Sequence, residues 1–118
     1  MDTRTGPGAV RMSVEGGSLA LHPDGALDVV TAGALGTAID TAAHARPAAI
    51  TIDLTDVTFV DSTGLRVLVR AYRRSRRDGF TLTVVPGNPT VDKILRLTGL
   101  NRLFEPLSDD VGPAPTAL

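Results

Sequence analysis

The sequence predicts an α/β domain: one mixed β-sheet with helices packed mainly on one face. Three observations lead there. Strand-like and helix-like segments alternate from residue 18 onward, an order that gives α/β architecture with some parallel pairing. In the run ITIDL, Ile50, Ile52 and Leu54 alternate with Thr51 and Asp53, whereas strands covered on both faces read as continuously apolar. The 118 residues show no repeat and no internal linker, which suits one domain.

The elements follow in order. Residues 1–9 are polar, carry Gly and Pro, and are expected to form a loose tail. RMSVEGGSLALHPDGALD reads as two short strands joined by a turn at Gly16-Gly17, the second ended by Pro23, which cannot donate to a ladder. TAGALGTAIDTAAHARP is helical, with Leu35, Ile39 and Ala42 on one face, Thr31 as N-cap and Pro47 as the stop. Gly33 and Gly36 sit oddly in it, each costing about 1 kcal/mol against Ala in a helix interior. AAITIDLTDVTFV is read as one strand. From Thr63 to about Arg77 the period becomes helical, with Leu65, Leu68, Val69 and Tyr72 as the apolar stripe and Gly79 at the C-cap position. FTLTVV is a further strand. PGNP is a turn that sets Asn88 as N-cap and Pro89 at the first position of a helix. That helix carries Val91, Ile94 and Leu95 and ends at Gly99. Leu103, Phe104 and Leu107 dock a last short element, and residues 108–118 are expected to fray, leaving 10–107 as the domain.

Composition excludes several functions. Without cysteine there are no disulfides, thiolate metal sites or thiol nucleophiles. A net charge of −1 gives no bulk attraction to nucleic acid or anionic lipid. Aromatics at 3% with no Trp offer little for base stacking. No apolar run nears the roughly 20 residues that span a bilayer, and MDTRTGPGAV lacks a signal-peptide pattern, so a cytoplasmic protein is expected.

The chemistry concentrates in FVDSTGL, residues 59–65, where Ser62 stands between a strand and a helix. Helix N-termini expose unpaired N–H groups and partial positive charge, and three roles for Ser62 follow. It can cap the helix, although one cap suffices where Asp61, Ser62 and Thr63 stand in a row. It can be a nucleophile, but a hydrolase elbow needs glycines two residues to each side, and here the flanks are Val60 and Gly64. The histidines, His22 at a strand end and His44 in a last helical turn, read as surface residues rather than bases. Finally, Ser62 can carry a phosphate, an anion that a helix N-terminus accepts.

The segment LTDVTFVDSTGLRVLV resembles the signature of the STAS domain, specifically that of bacterial anti-sigma factor antagonists (anti-anti-sigma factors). GALD, residues 25–28, is similar to the family's Gly-x-Leu-Asp before its first helix, and NPTVDKILRLTGLNRLFEPL to its final helix and closing segment. The resemblance covers residues 10–107. It implies a STAS-like fold and a binding module rather than an enzyme, with no cofactor and no metal. The implied partner is an anti-sigma factor with serine kinase activity, whose capture frees a sigma factor. That kinase would phosphorylate Ser62, with Thr63 second to it as acceptor, and a metal-dependent serine phosphatase would reset the switch. Asp28 matches the acid of the Gly-x-Leu-Asp loop and is expected near Ser62, and Asp61 matches the acid of the signature. Val60 stands where the family often has Met. A scaffold STAS module without a switch, in a transport or signalling complex, and a small serine hydrolase stand as alternatives.

Arg66, Arg70, Arg73 and Arg77 share one helical stripe beside the apolar face; it reads either as a solvated face or as a contact for an acidic partner. Arg66, four residues after Ser62, is expected to help dock the kinase. Gly64 reads equally as a place for a partner backbone to approach and as a small residue in a crowded turn. Asp53 is expected on the polar strand face and Asp56 in a turn, without calcium-loop spacing. Gly87 lacks the Lys-Ser/Thr of a phosphate loop.

Overall fold

A computed structural model describes residues 10–104. The elements are β1 (Arg11–Glu15), β2 (Ser18–His22), β3 (Gly25–Leu27), α1 (Val29–His44), β4 (Ala49–Asp53), β5 (Val57–Val60), α2 (Ser62–Asp78), β6 (Thr81–Val85), α3 (Pro89–Thr98) and α4 (Asn101–Phe104). Four strands form a mixed sheet in the order β1-β2-β4-β6, and β3 and β5 form a separate two-stranded ribbon. The β1–β2 hairpin is antiparallel; β2–β4, β4–β6 and β3–β5 are parallel.

Register sorts the main sheet into two faces. Leu19 pairs with Ile50 and Leu21 with Ile52, while Ile50 and Ile52 pair with Leu82 and Val84. These residues join Leu35 and Ile39 of α1, Leu68 of α2, Val91 and Leu95 of α3, and Phe104 of α4 in one core. The opposite face, with Ala20, His22, Thr51 and Asp53, stays half-exposed. All four helices thus pack on the face that the alternation of ITIDL marks as buried.

The segment AAITIDLTDVTFV is two strands rather than the single one expected. The Asp53 carboxylate accepts from the Thr55 N–H at 3.0 Å and from its hydroxyl, and the Val57 N–H reaches back to the Leu54 carbonyl. This Asx-type turn diverts the chain from the main sheet into the ribbon. The buried residues show the shift: Ile50, Ile52 and Leu54 alternate, whereas Leu54, Val57 and Val60 step by three. The GAL segment, read as a lead-in to the first helix, is in fact the partner strand of β5.

The loop between β4 and β5 is held from the other side by Asn88. Its Oδ1 accepts from the Val91 N–H at 2.9 Å, capping α3 as expected. Its Nδ2 faces the carbonyls of Leu54, Thr55 and Val57 at 3.2, 3.1 and 2.9 Å. Gly87, at φ 72°, lies so close to Thr55 that any Cβ would overlap it. The glycine therefore serves a close approach of two loops.

The apolar arc of α2 is wider than the predicted stripe. Gly64, Val67, Leu68, Ala71 and Ser75 are buried, with Leu65 and Tyr72 partly buried at the flank. The reason is that α2 packs against α1 as well as against β5 and β6, while the Tyr72 ring meets Phe104 edge-on at 6.5 Å. Gly79 and Gly99 end their helices at φ 85° and 79°, the left-handed closure expected of them. The first helix begins two residues before Thr31 and ends at His44, before Pro47, which restricts Arg46 to non-helical backbone. The expected tails at 1–9 and 108–118, and Leu107, lie outside the described residues.

Candidate functional site

The ribbon positions the site. Leu27 pairs with Val60 in parallel register, and each strand runs directly into a helix: β3 through Asp28 into α1, β5 through Asp61 into α2. Because the pairing is parallel, both helices start at the same end of the molecule. The Asp61 N–H donates to the Leu27 carbonyl at 3.3 Å, closing the gap between the two junctions. Two sets of unpaired N–H groups and two partial positive charges thus stand side by side.

Each start is capped by an aspartate. Asp28 accepts from the Val30 and Thr31 N–H groups at 3.1 and 3.2 Å and from the Thr31 hydroxyl at 3.1 Å. The Thr31 amide and hydroxyl, aided by the Val30 amide, hold this carboxyl below its ordinary pKa. Thr31, the expected cap, lies inside the first turn, and its one hydroxyl hydrogen is shared between Asp28 Oδ1 and the Ala26 carbonyl, the latter at 2.8 Å. Asp61 accepts from the Gly64 N–H at 3.0 Å and is the cap of α2.

With Asp61 as cap, the row Asp-Ser-Thr resolves into separate tasks. Ser62 is the first residue of α2 and is exposed; no described residue hydrogen-bonds its hydroxyl. Thr63 is half-buried and lines a cleft against α1. Gly64 is buried, and a Cβ there would come within 2.7 Å of the Leu27 carbonyl oxygen and 2.9 Å of Val60 Cγ1. The glycine lets α2 settle on β3 and β5. Of the two readings of Gly64, these contacts fit the small residue in a crowded turn. Arg66, one turn after Ser62, is exposed and lines the same cleft as Thr63 and Val29.

Neither histidine stands beside Ser62. His44 ends the 16-residue helix whose start flanks Ser62, roughly 24 Å along its axis, and its Nδ1 lies 3.0 Å from the Asp40 carbonyl. His22 is on the open sheet face, half-buried instead of at the surface. Its Nε2 is 3.1 Å from Ser13 Oγ and its Nδ1 3.4 Å from Asp53 Oδ2. This Ser–His–Asp line lies on β1, β2 and β4. Burial raises the Asp53 pKa, but the Thr55 hydroxyl and amide, with His22, outweigh it and leave it lowered.

Sequence reading missed the apolar rim of the site. Val29 and Val30 in the first turn of α1 are 69% and 66% exposed, and Phe59, two residues before the Asp61 cap, is 52% exposed. They stand at the end of the ribbon that carries the exposed Ser62 hydroxyl, where both helices start. The signal was present: two valines directly after a capping acid, and one of only three phenylalanines in the signature itself.

The STAS domain family model matches residues 9–114. The fold is similar to that of an anti-sigma factor antagonist from Mycobacterium paratuberculosis at 31% identity, over 90% of this chain and 93% of that one, with a TM-score of 0.69. A Thermotoga maritima protein (21% identity, 87% and 92% of the chains, TM-score 0.71) shares the fold. So does SpoIIAA, an anti-sigma factor antagonist solved in its unphosphorylated form (19% identity, 75% and 83%, TM-score 0.62). No curated protein matches the sequence. Among the described residues, no helix is long and apolar enough to cross a membrane.

Proposed function

Because the chain belongs to the STAS domain family, we propose that it is an anti-sigma factor antagonist switched by phosphorylation of Ser62. Unmodified, it binds an anti-sigma factor that is also a serine kinase, and so releases a sigma factor to RNA polymerase. That kinase phosphorylates Ser62, the complex separates, and a serine phosphatase restores the binding form. The antagonist itself is a binding module and substrate.

The observation that carries this reading is the free Ser62 hydroxyl at the first position of α2, with capping already done by Asp61. A phosphate there adds about −1.5 to −2 charges to a helix end that favours anions, so the fold survives while the surface potential changes locally. Val29, Val30 and Phe59 supply apolar contact around it, and Asp28, Asp61, Thr63 and Arg66 the polar rim. Among the two hydroxyls, exposure favours Ser62 over the half-buried Thr63.

The test uses the unmodified protein and Ser62→Asp as parallel baits in lysate of the native host, with captured proteins identified by mass spectrometry. The expected result is a kinase-like anti-sigma factor on the first bait only. Adding ATP to that complex is expected to release it with phosphate on Ser62. Capture by both baits, unchanged by ATP, would refute the switch and leave a scaffold module.

A further inference from the structure

The arginine stripe of α2 is not consumed by the switch. Arg66 and Arg70 line the cleft between α1 and α2, about 330 Å³ in volume, which continues along Arg70, Arg73, Arg74 and Arg77 into a second space of similar size. From Arg66 to Arg77 the helix rises roughly 16 Å, three turns. Arg74 is fixed by Asp40 at 2.7 Å and by Asp78 at 2.9 Å, and Arg77 by Asp78 at 3.1 Å. Arg66, Arg70 and Arg73 pair with no carboxylate among the described residues. Three arginines without a carboxylate partner among the described residues thus line one groove, alongside Asp40, in a chain of net charge −1.

The opposite wall is α1, and here its glycines find a use. Gly33 and Gly36 both line the cleft. Neither has positive φ, and a Cβ on either would meet nothing within 4 Å. Their own fold requires no glycine at these positions, although glycine weakens a helix interior. What they provide is bare backbone facing an open groove, the arrangement that lets another helix come close. Val67 and Ala71 of α2 add a small apolar floor.

We propose that this groove seats an acidic amphipathic helix of the partner protein. Its small apolar side chains lie over Gly33, Gly36, Val67 and Ala71, and its carboxylates meet Arg66, Arg70 and Arg73. The inference rests on the switch described above and gives it a mechanism. A phosphate on Ser62 stands four residues from Arg66, the spacing of neighbours on a helix surface. It takes up that guanidinium and repels the incoming acids, so one modification both occupies and closes the mouth of the groove.

The test is a titration of the ¹⁵N-labelled full chain with a synthetic helical peptide carrying an Ala/Leu stripe flanked by Glu. Expected are saturable shifts at the amides of Gly33, Gly36, Val67 and Ala71, and affinity at least tenfold weaker for Arg70→Glu/Arg73→Glu and for Ser62→Asp. Gly33→Ala/Gly36→Ala is expected to melt at a higher temperature yet bind severalfold more weakly, a combination that loss of folding cannot produce. Equal binding of a peptide with Lys in place of Glu overturns the proposal. So do unchanged affinity in the charge-reversed variant and the same shifts with inorganic phosphate alone, which would make the groove a small-anion site. Neither kinase nor anti-sigma factor enters this assay, so its failure leaves the Ser62 switch standing, and failure of the capture experiment leaves this result untouched.

Discussion

Asn88 joins two parts of the molecule with one side chain, and replacing it separates two contributions. Its Oδ1 caps α3 through Val91, a contact worth about 1 kcal/mol against alanine. Its Nδ2 faces three carbonyls of the loop between β4 and β5, but an amide nitrogen has only two hydrogens, so two bonds at about 1 kcal/mol each are the ceiling. Asn88→Ala is therefore expected to cost about 3 kcal/mol, which for a domain of this size lowers the melting temperature by roughly 10–20 °C. Asn88→Ser keeps a capping oxygen and loses only the loop contacts, about 2 kcal/mol. Urea denaturation of the three proteins, read by far-UV circular dichroism with a common m-value, measures both differences. If Ser and Ala lose the same amount, the cap contributes nothing. If Asn88→Ala loses less than about 1 kcal/mol, the loop is held by something other than this amide.

Three further outcomes are expected. Gly64→Ala brings a methyl to within 2.7 Å of a backbone oxygen and should cost about 1–3 kcal/mol by overpacking; a neutral result in thermal melts would mean that α2 shifts freely on the ribbon. Ser62→Asp places a charge at a helix N-terminus and should leave the melting temperature unchanged or slightly raised; a clear loss would show that the hydroxyl has a structural role. Asp28, Asp53 and Asp78 all have pKa values lowered from 3.8, Asp78 through the side chains of Arg74 and Arg77. For carboxyls depressed on folding, the stabilisation is complete above the unfolded value and is lost as pH falls through the folded ones. Stability should therefore be level near neutrality and decline below about pH 4, and a decline centred well above pH 5 in urea midpoints would contradict the assignment.

How far the sequence could be read depended on how local each signal was. Asn88-Pro89, Gly79 and Gly99 act within one turn, and the structure places each as expected. The alternation of Ile50, Ile52 and Leu54 named the buried face correctly. The break after Leu54 was written in the same residues, since Asp56 and Thr58 would have to be buried for the alternation to continue, and Val57 and Val60 take the core instead. What stayed hidden was the pairing of β3 with β5, because Gly25–Leu27 is too short to show a period and its partner lies 30 residues on. The cap of the first helix was misassigned for a related reason: Asp28 and Thr31 are both good capping residues, and only the strand end decides which one stands at the boundary. Ser62, Asp28 and Asp61 were legible as a motif, and the resemblance already set Asp28 near Ser62; the parallel ribbon that brings their helix starts together was not legible.

The parallel ribbon also says when in folding the serine becomes presentable. Leu27 and Val60 must find each other across the whole of α1 and β4, and closing so long a loop is unfavourable until later contacts reward it. An unfinished chain, or one in which the ribbon has opened, keeps the peptide around Ser62 but lacks its neighbouring helix start. Under the switch proposed above, a kinase that reads both helix starts would act only on a chain whose ribbon has closed.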